Sequence, residues 1–202
     1  SAFIVERNSP GLSIGSPDKK MGQQGAKTAD VILEDCRVPA ANIIGGVAGV
    51  GFKTAMKVLD RGRLHISAVS VGIAERLINE CVTYASERKQ FGKAIAEFQL
   101  IQAMLADSKA ESYAARTMVF DATRKKEAGK NITLEAACTK MFATEMVGKV
   151  ADRAVQIFGG AGYLSEYPIE RLYRDVRLFR IYEGTTQIQQ LVIARELLKD
   201  AE

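Results

Sequence analysis

The run RIYEGTTQIQ, residues 180–189, sets one carboxylate, Glu183, between Tyr182 and Gly184, with Arg180 before it and the helix-like run TTQIQQLVIARELLKD directly after. A solvated charge needs no such corner. A carboxylate that must sit close to a ligand, dry and on a tight turn, does. The plainer reading is an acid beside a helix N-terminus, where Thr185 or Thr186 caps the free N–H groups and the helix end favours negative charge.

Three further constellations carry chemistry or capping. In ERKQFGK, residues 87–93, Arg88 and Lys89 suit the C-terminal end of a helix and Gly92 suits its cap. The alternative has Arg88 presenting a planar, always-charged fork to a phosphate or pyrophosphate, with Phe91 beside a planar ring. In AVQIFGGAGY, residues 154–163, Gly159 or Gly160 serves as a left-handed cap. Three glycines in four residues exceed what a cap requires, since each costs backbone entropy, and the surplus points to a ligand lying on bare backbone. The spacing matches neither a P-loop nor a dinucleotide fingerprint. In LDRGR, residues 59–63, Asp60 and Arg63 share a helical face, either as a surface ion pair or as a grip on the polar tail of a ligand.

The elements that must position these residues are mostly helical. Apolar residues recur near the helical period from about 52 to 86, through Ala55, Val58, Leu59, Ile66, Val69, Ile73, Leu77 and Cys81. A second helix is predicted over about 95–128, closed by KKEAGKN with Gly129 as the stop. A third starts with Thr133 as N-cap and runs to Phe158; shorter ones follow over 167–179 and 185–199. Long helices on short loops imply an antiparallel bundle. Residues 1–50 are turn-rich, with strands expected in AFIVE and in ADVILEDCRVP as far as Pro39. The expected architecture is mainly α: an up-and-down helical bundle over 51–202, preceded by a few β-strands over 1–50 too sparse for a core of their own. The chain opens without Met into SAFIVE, the middle of a strand on this reading, and is therefore expected to be part of a longer protein.

Composition narrows the function classes. Of 202 residues, 47% are apolar and 26% charged, an ordinary globular balance. The net charge of +4 is spread among acids, which argues against a nucleic-acid tail or a polybasic membrane anchor. One histidine, His65, leaves no material for Ser-His catalysis or a multi-histidine metal site. Cys36, Cys81 and Cys138 lack paired spacing and read as reduced packing residues of a cytoplasmic protein. No apolar run has the length of a membrane span.

Taken together, ERKQFGK, the FQ pair at 98–99, QIFGGAGY, EYPIERLYRDVR and IYEGTTQIQ stand in the order and spacing of the C-terminal half of the acyl-CoA dehydrogenases. KMGQQGAKTADVILEDCRVPAANIIG also resembles that family's middle β domain running into its helices, so the resemblance covers essentially the whole chain. The chain resembles the short- and medium-chain branch, butyryl-CoA dehydrogenase among them. It implies FAD-dependent desaturation of acyl-CoA thioesters between Cα and Cβ, as in fatty acid β-oxidation, with Glu183 as the base. The backbone amide of Glu183 would bind the thioester oxygen, Gly184 would make room for the acyl chain, and Tyr182 would line the pocket. Another branch carries its base at the place matching Gly62, which has no side chain here. Asp60 and Arg63 match residues that meet the CoA portion and shape the site.

The same resemblance assigns FAD contacts to Arg88, Gln90, Phe91 and Gln99, and to the backbone at Gln156, Gly159 and Gly160. In the family these serve the flavin of a neighbouring subunit, implying a homodimer or homotetramer; Thr185 and Gln187 match contacts to the flavin that Glu183 serves. Gln90 departs from the threonine found in other members. Implied partners are acyl-CoA and electron-transferring flavoprotein, with a bacterial cytoplasmic or a mitochondrial matrix location. Two rivals stand beside this reading: an acyl-CoA oxidase that passes electrons to O2, and a non-catalytic helical oligomerisation module.

Overall fold

The computed structural model describes residues 1–199, which form two compact units, Ser1–Leu59 and Asp60 onward. In the first unit β1 (Leu12–Ile14) pairs antiparallel with β2 (Val31–Leu33), Ser13 opposite Ile32. The strand expected in AFIVE reduces to a single bridge between Phe3 and Ile43, and the one expected up to Pro39 stops at Leu33. Two edges of three residues cannot bury an apolar face. No residue from 1 to 50 is buried, and Val31, Ile32 and Leu33 are all exposed.

The second unit contains the bundle. α1 (Gly51–Glu87) carries the boundary between the units; α2 (Gln99–Glu127), α3 (Thr133–Phe158), α4 (Pro168–Val176) and α5 (Thr186–Leu198) follow. α3 is the central element, packing on α2, α4 and α5. Its small residues allow this: Ala136, Ala137, Ala143, Val147, Ala151 and Ala154 are all buried. Ala143, Val147, Ala151 and Ala154 join Leu77, Ile169, Val176 and Phe179 from its neighbours in one continuous core, the apolar stripe that the helical period requires. Ala136 packs with Leu64, Ala122 and Ile132 in a smaller cluster.

Local signals set the ends. After α2, Gly129 takes φ +74° and its N–H donates to the Lys126 carbonyl, with Arg124, Lys125 and Lys126 in the last turn. α2 starts at Gln99 rather than near 95, because Ile95–Glu97 form a 3-10 turn and Phe98 is extended. Thr133 is the first helical residue of α3, not its cap; the Asn131 side chain accepts its N–H at 3.1 Å instead. No helix among the described residues is long and apolar enough to cross a membrane.

Candidate active site and ligand cleft

Residues 181–185 form the turn between the 3-10 segment Arg177–Arg180 and α5. Glu183 and Gly184 both take left-handed backbone, φ +56° and +84°. For a glutamate this conformation costs on the order of 1 kcal/mol and persists only where the surroundings impose it. Thr185 caps α5, its hydroxyl accepting the Ile188 N–H at 3.3 Å, which decides between the two candidate threonines. Thr186 instead donates to Glu145 Oε1 of α3 at 2.7 Å, while Arg180 reaches Glu145 Oε2 at 3.3 Å. One carboxylate thus clasps both flanks of the turn. The Tyr182 ring lies parallel to Phe179, centroids 5.8 Å apart.

The turn aims the Glu183 carboxylate at α1. A methyl carbon added to Gly62 would come within 2.8 Å of Glu183 Cδ, so this glycine is the clearance for the acid. One residue on, Arg63 donates to Asp60 Oδ1 at 2.8 Å. This pair is not the surface ion pair that spacing alone suggests: Arg63 is 7% exposed, and its Nε has no hydrogen-bond partner among the described residues. Asp60 Oδ2 lies 3.2 Å from the Thr133 hydroxyl at the start of α3.

Sequence reasoning missed two residues beneath the turn. Lys140 of α3 is fully buried and donates to the Gly184 carbonyl at 2.7 Å. Desolvation pushes its pKa down to about 8, Arg63 adding to the shift while Glu145 and Glu183 oppose it. Gln189 of α5, also fully buried, donates to the carbonyls of Glu183 and Gly184 at 3.1 and 3.0 Å. The signal for Lys140 was available. It occupies the face of α3 that also bears Ala136, Ala143, Thr144 and Val147, where a lysine breaks an otherwise small and apolar stripe.

The other candidate residues gather elsewhere. α1 stops at Glu87, and β3 (Lys89–Gln90) and β4 (Lys93–Ala94) form a two-residue hairpin across Phe91 and Gly92. Both turn residues have positive φ, +53° and +83°, the type I′ pattern. Gly92 therefore makes a hairpin turn and does not cap α1. The hairpin borders a cleft of about 1090 Å³ lined by Arg88, Gln90, Phe91, Gln99, Gly159 and Gly160. Stacked Tyr84 and Phe158, 4.0 Å apart, also line it. Gln156 is exposed outside this lining; Thr185 ends the Glu183 turn and Gln187 lies in the first turn of α5.

The three glycines of GGAG separate by cause. Gly159 caps α3 at φ +60°, and a Cβ added at Gly162 would fall 2.8 Å from Phe158 Cβ and 2.9 Å from the Val155 carbonyl oxygen. Gly160 has neither constraint: its φ is not positive, and an added Cβ would meet nothing within 4 Å. It leaves bare backbone facing the cleft. A guanidinium, two amides, bare backbone and an exposed aromatic suit a ligand with both phosphate and a planar ring.

The family model described as acyl-CoA dehydrogenase, C-terminal domain, matches residues 49–198. Caffeyl-CoA reductase-Etf complex subunit CarC of Acetobacterium woodii is 48% identical over 98% of this chain and 52% of its own length. The structure of butyryl-CoA dehydrogenase from Megasphaera elsdenii aligns with a TM-score of 0.94 at 43% identity, covering 97% of this chain and 51% of that one. An acyl-CoA dehydrogenase complexed with FAD from Bacillus anthracis aligns at TM-score 0.95 and 37% identity, over 100% of this chain and 38% of that one. The chain spans about half the length of the curated relatives it matches. A family model covering the whole bundle, with near-identical backbones at this identity, leaves one assignment: the chain belongs to the acyl-CoA dehydrogenase family.

Proposed function

We propose that the protein containing this chain is an FAD-dependent acyl-CoA dehydrogenase, with Glu183 removing the α-proton of an acyl-CoA thioester. The observation that carries it is the Glu183 carboxylate, held on a left-handed turn in the clearance that Gly62 leaves. An α-C–H beside a thioester is a weak acid, so its base must be placed, and the thioester oxygen must be polarised as charge develops. The Glu183 N–H donates to no acceptor among the described residues and is the donor for that oxygen. Asp60 and Arg63, beside Gly62, meet the polar part of the substrate; Tyr182 and Gly184 border the acyl chain.

Arg88, Gln90, Phe91, Gln99, Gly159 and Gly160 hold FAD in their cleft, with Gln156 at its margin, while Thr185 and Gln187 contact the flavin served by Glu183. When bound, the flavin supplies the acceptor for the β-hydride. This division of contacts requires a homo-oligomer, in which the cleft of one subunit serves the turn of another. Residues 1–50 are the end of a middle β domain and 51–202 the helical domain; these 202 residues alone are expected to be inactive. Electrons leave through electron-transferring flavoprotein, a partner supported by the Etf-complex subunit among the relatives.

The same relative is named a reductase, which favours a second reading in which the protein runs the reaction towards saturation. Glu183 would then return a proton to Cα. Assaying the whole flavoprotein with acyl-CoA plus an electron acceptor, and with enoyl-CoA plus reduced electron-transferring flavoprotein, separates the directions. Hydrogen peroxide formation under air would instead mark an oxidase. Glu183→Gln should keep flavin and acyl-CoA binding and lose several orders of magnitude in turnover; near-normal turnover moves the base elsewhere.

A further inference from the structure

Two residues in left-handed backbone in succession, one of them a glutamate, must be held there by something. Three hydrogen bonds meet the two carbonyls of this pair, and all come from fully buried side chains. The Gln189 amide spans both carbonyls, and the Lys140 ammonium supplies a charge-assisted bond to that of Gly184. The Gly184 oxygen thus uses both lone pairs. Gly184 is itself required by this arrangement, since an added Cβ would lie 2.5 Å from Gln189 Nε2. Gln189 comes from α5 directly after the turn and Lys140 from α3, distant in sequence, so the turn is fixed both to the helix it opens and to the centre of the bundle.

We infer that Lys140 and Gln189 are positioning residues for the base: by holding the carbonyls of Glu183 and Gly184 they impose the left-handed pair that sets the Glu183 carboxylate against Gly62. The inference rests on the reading of Glu183 as the base. A buried lysine is a costly way to hold one carbonyl, and a scaffold role alone would be served by methionine. Replacing a buried charge with an apolar residue of similar volume is often neutral or stabilising. Loss of alignment should instead slow proton removal, because a displacement of about 1 Å costs on the order of 10²-fold in rate.

The test uses the whole flavoprotein carrying Lys140→Met, Gln189→Leu or Glu183→Gln. Three quantities are read: the single-turnover rate of flavin reduction by acyl-CoA, the isotope effect of α-deuteration, and amide hydrogen exchange over 181–186. Lys140→Met and Gln189→Leu are expected to lower the rate by roughly 10- to 100-fold. KM should change little, the isotope effect should be kept or increased, and exchange over the turn should quicken. If Lys140→Met does not fold, Gln189→Leu carries the test. A normal rate with normal exchange in a folded variant overturns the inference. Wild-type turnover in Glu183→Gln overturns the base assignment alone, because the exchange measurement still reports whether these side chains hold the turn.

Discussion

Gly62 and Glu183, far apart in sequence, meet so closely that any side chain at 62 would displace the carboxylate: an added Cβ falls 2.8 Å from Cδ of the acid and 3.2 Å from Oε1. Gly62→Ala should therefore separate stability from activity. Alanine favours a helix interior over glycine by about 1 kcal/mol, so thermal stability should hold or rise. Turnover should fall by on the order of 10²-fold as the acid is pushed aside. Parallel melting curves and steady-state kinetics check it; unchanged turnover would mean that the carboxylate does not work from this position.

Phe91 is 92% exposed and sits at φ +53° in the hairpin turn. An aromatic kept in that state serves something outside the chain's own packing. Phe91→Asn suits left-handed backbone and should stabilise the hairpin by up to about 1 kcal/mol. The same change should weaken flavin retention, read as visible absorbance after gel filtration. Equal retention would remove Phe91 from the cofactor site.

Lys140 predicts a pH dependence. Its pKa falls from 10.5 to about 8 on folding, with desolvation as the main cause. Below pH 8 both states are protonated and the cost of the buried charge is fully present. Between about 8 and 10.5 the unfolded chain holds a proton that the folded one has released, so stability rises with pH, by up to roughly 3 kcal/mol. The charged groups acting on it are Arg63 from α1, Glu145 from α3 and Glu183 from the turn. Denaturant midpoints at pH 7.5 and 10 should show this rise, and Lys140→Met should abolish it.

Glu111 and Arg153 join α2 to α3 through two hydrogen bonds, 2.8 and 3.1 Å. Arg153, mainly through those bonds, holds the Glu111 carboxyl below its ordinary value of 4.5. The pair's contribution is present above pH 4.5 and is lost as acid protonates Glu111 in the folded state. Glu111→Gln should cost about 1 kcal/mol at pH 7 and little at pH 3, by urea titration at each pH.

Much of the helical architecture could be read along the chain, because the 3.6-residue period, the basic turn before Gly129 and the Thr185 cap are local properties. The errors were local as well. ERKQFGK contains the residues of a helix end, yet Phe91 and Gly92 form a hairpin turn, and Gly92 suits either structure because both need positive φ.

From sequence alone came the helices, the glycine surplus and the corner occupied by Glu183, all of which depend on neighbours a few residues away. Tertiary structure alone decided that Gly62 faces that acid, that Arg63 is buried against a half-buried Asp60, that Gly160 faces the cleft, and that Lys140 reaches Gly184. The physical reason is range: backbone preference and periodicity act within a turn or two. Which faces of α1, α3 and α5 meet is set by packing side chains across the whole bundle.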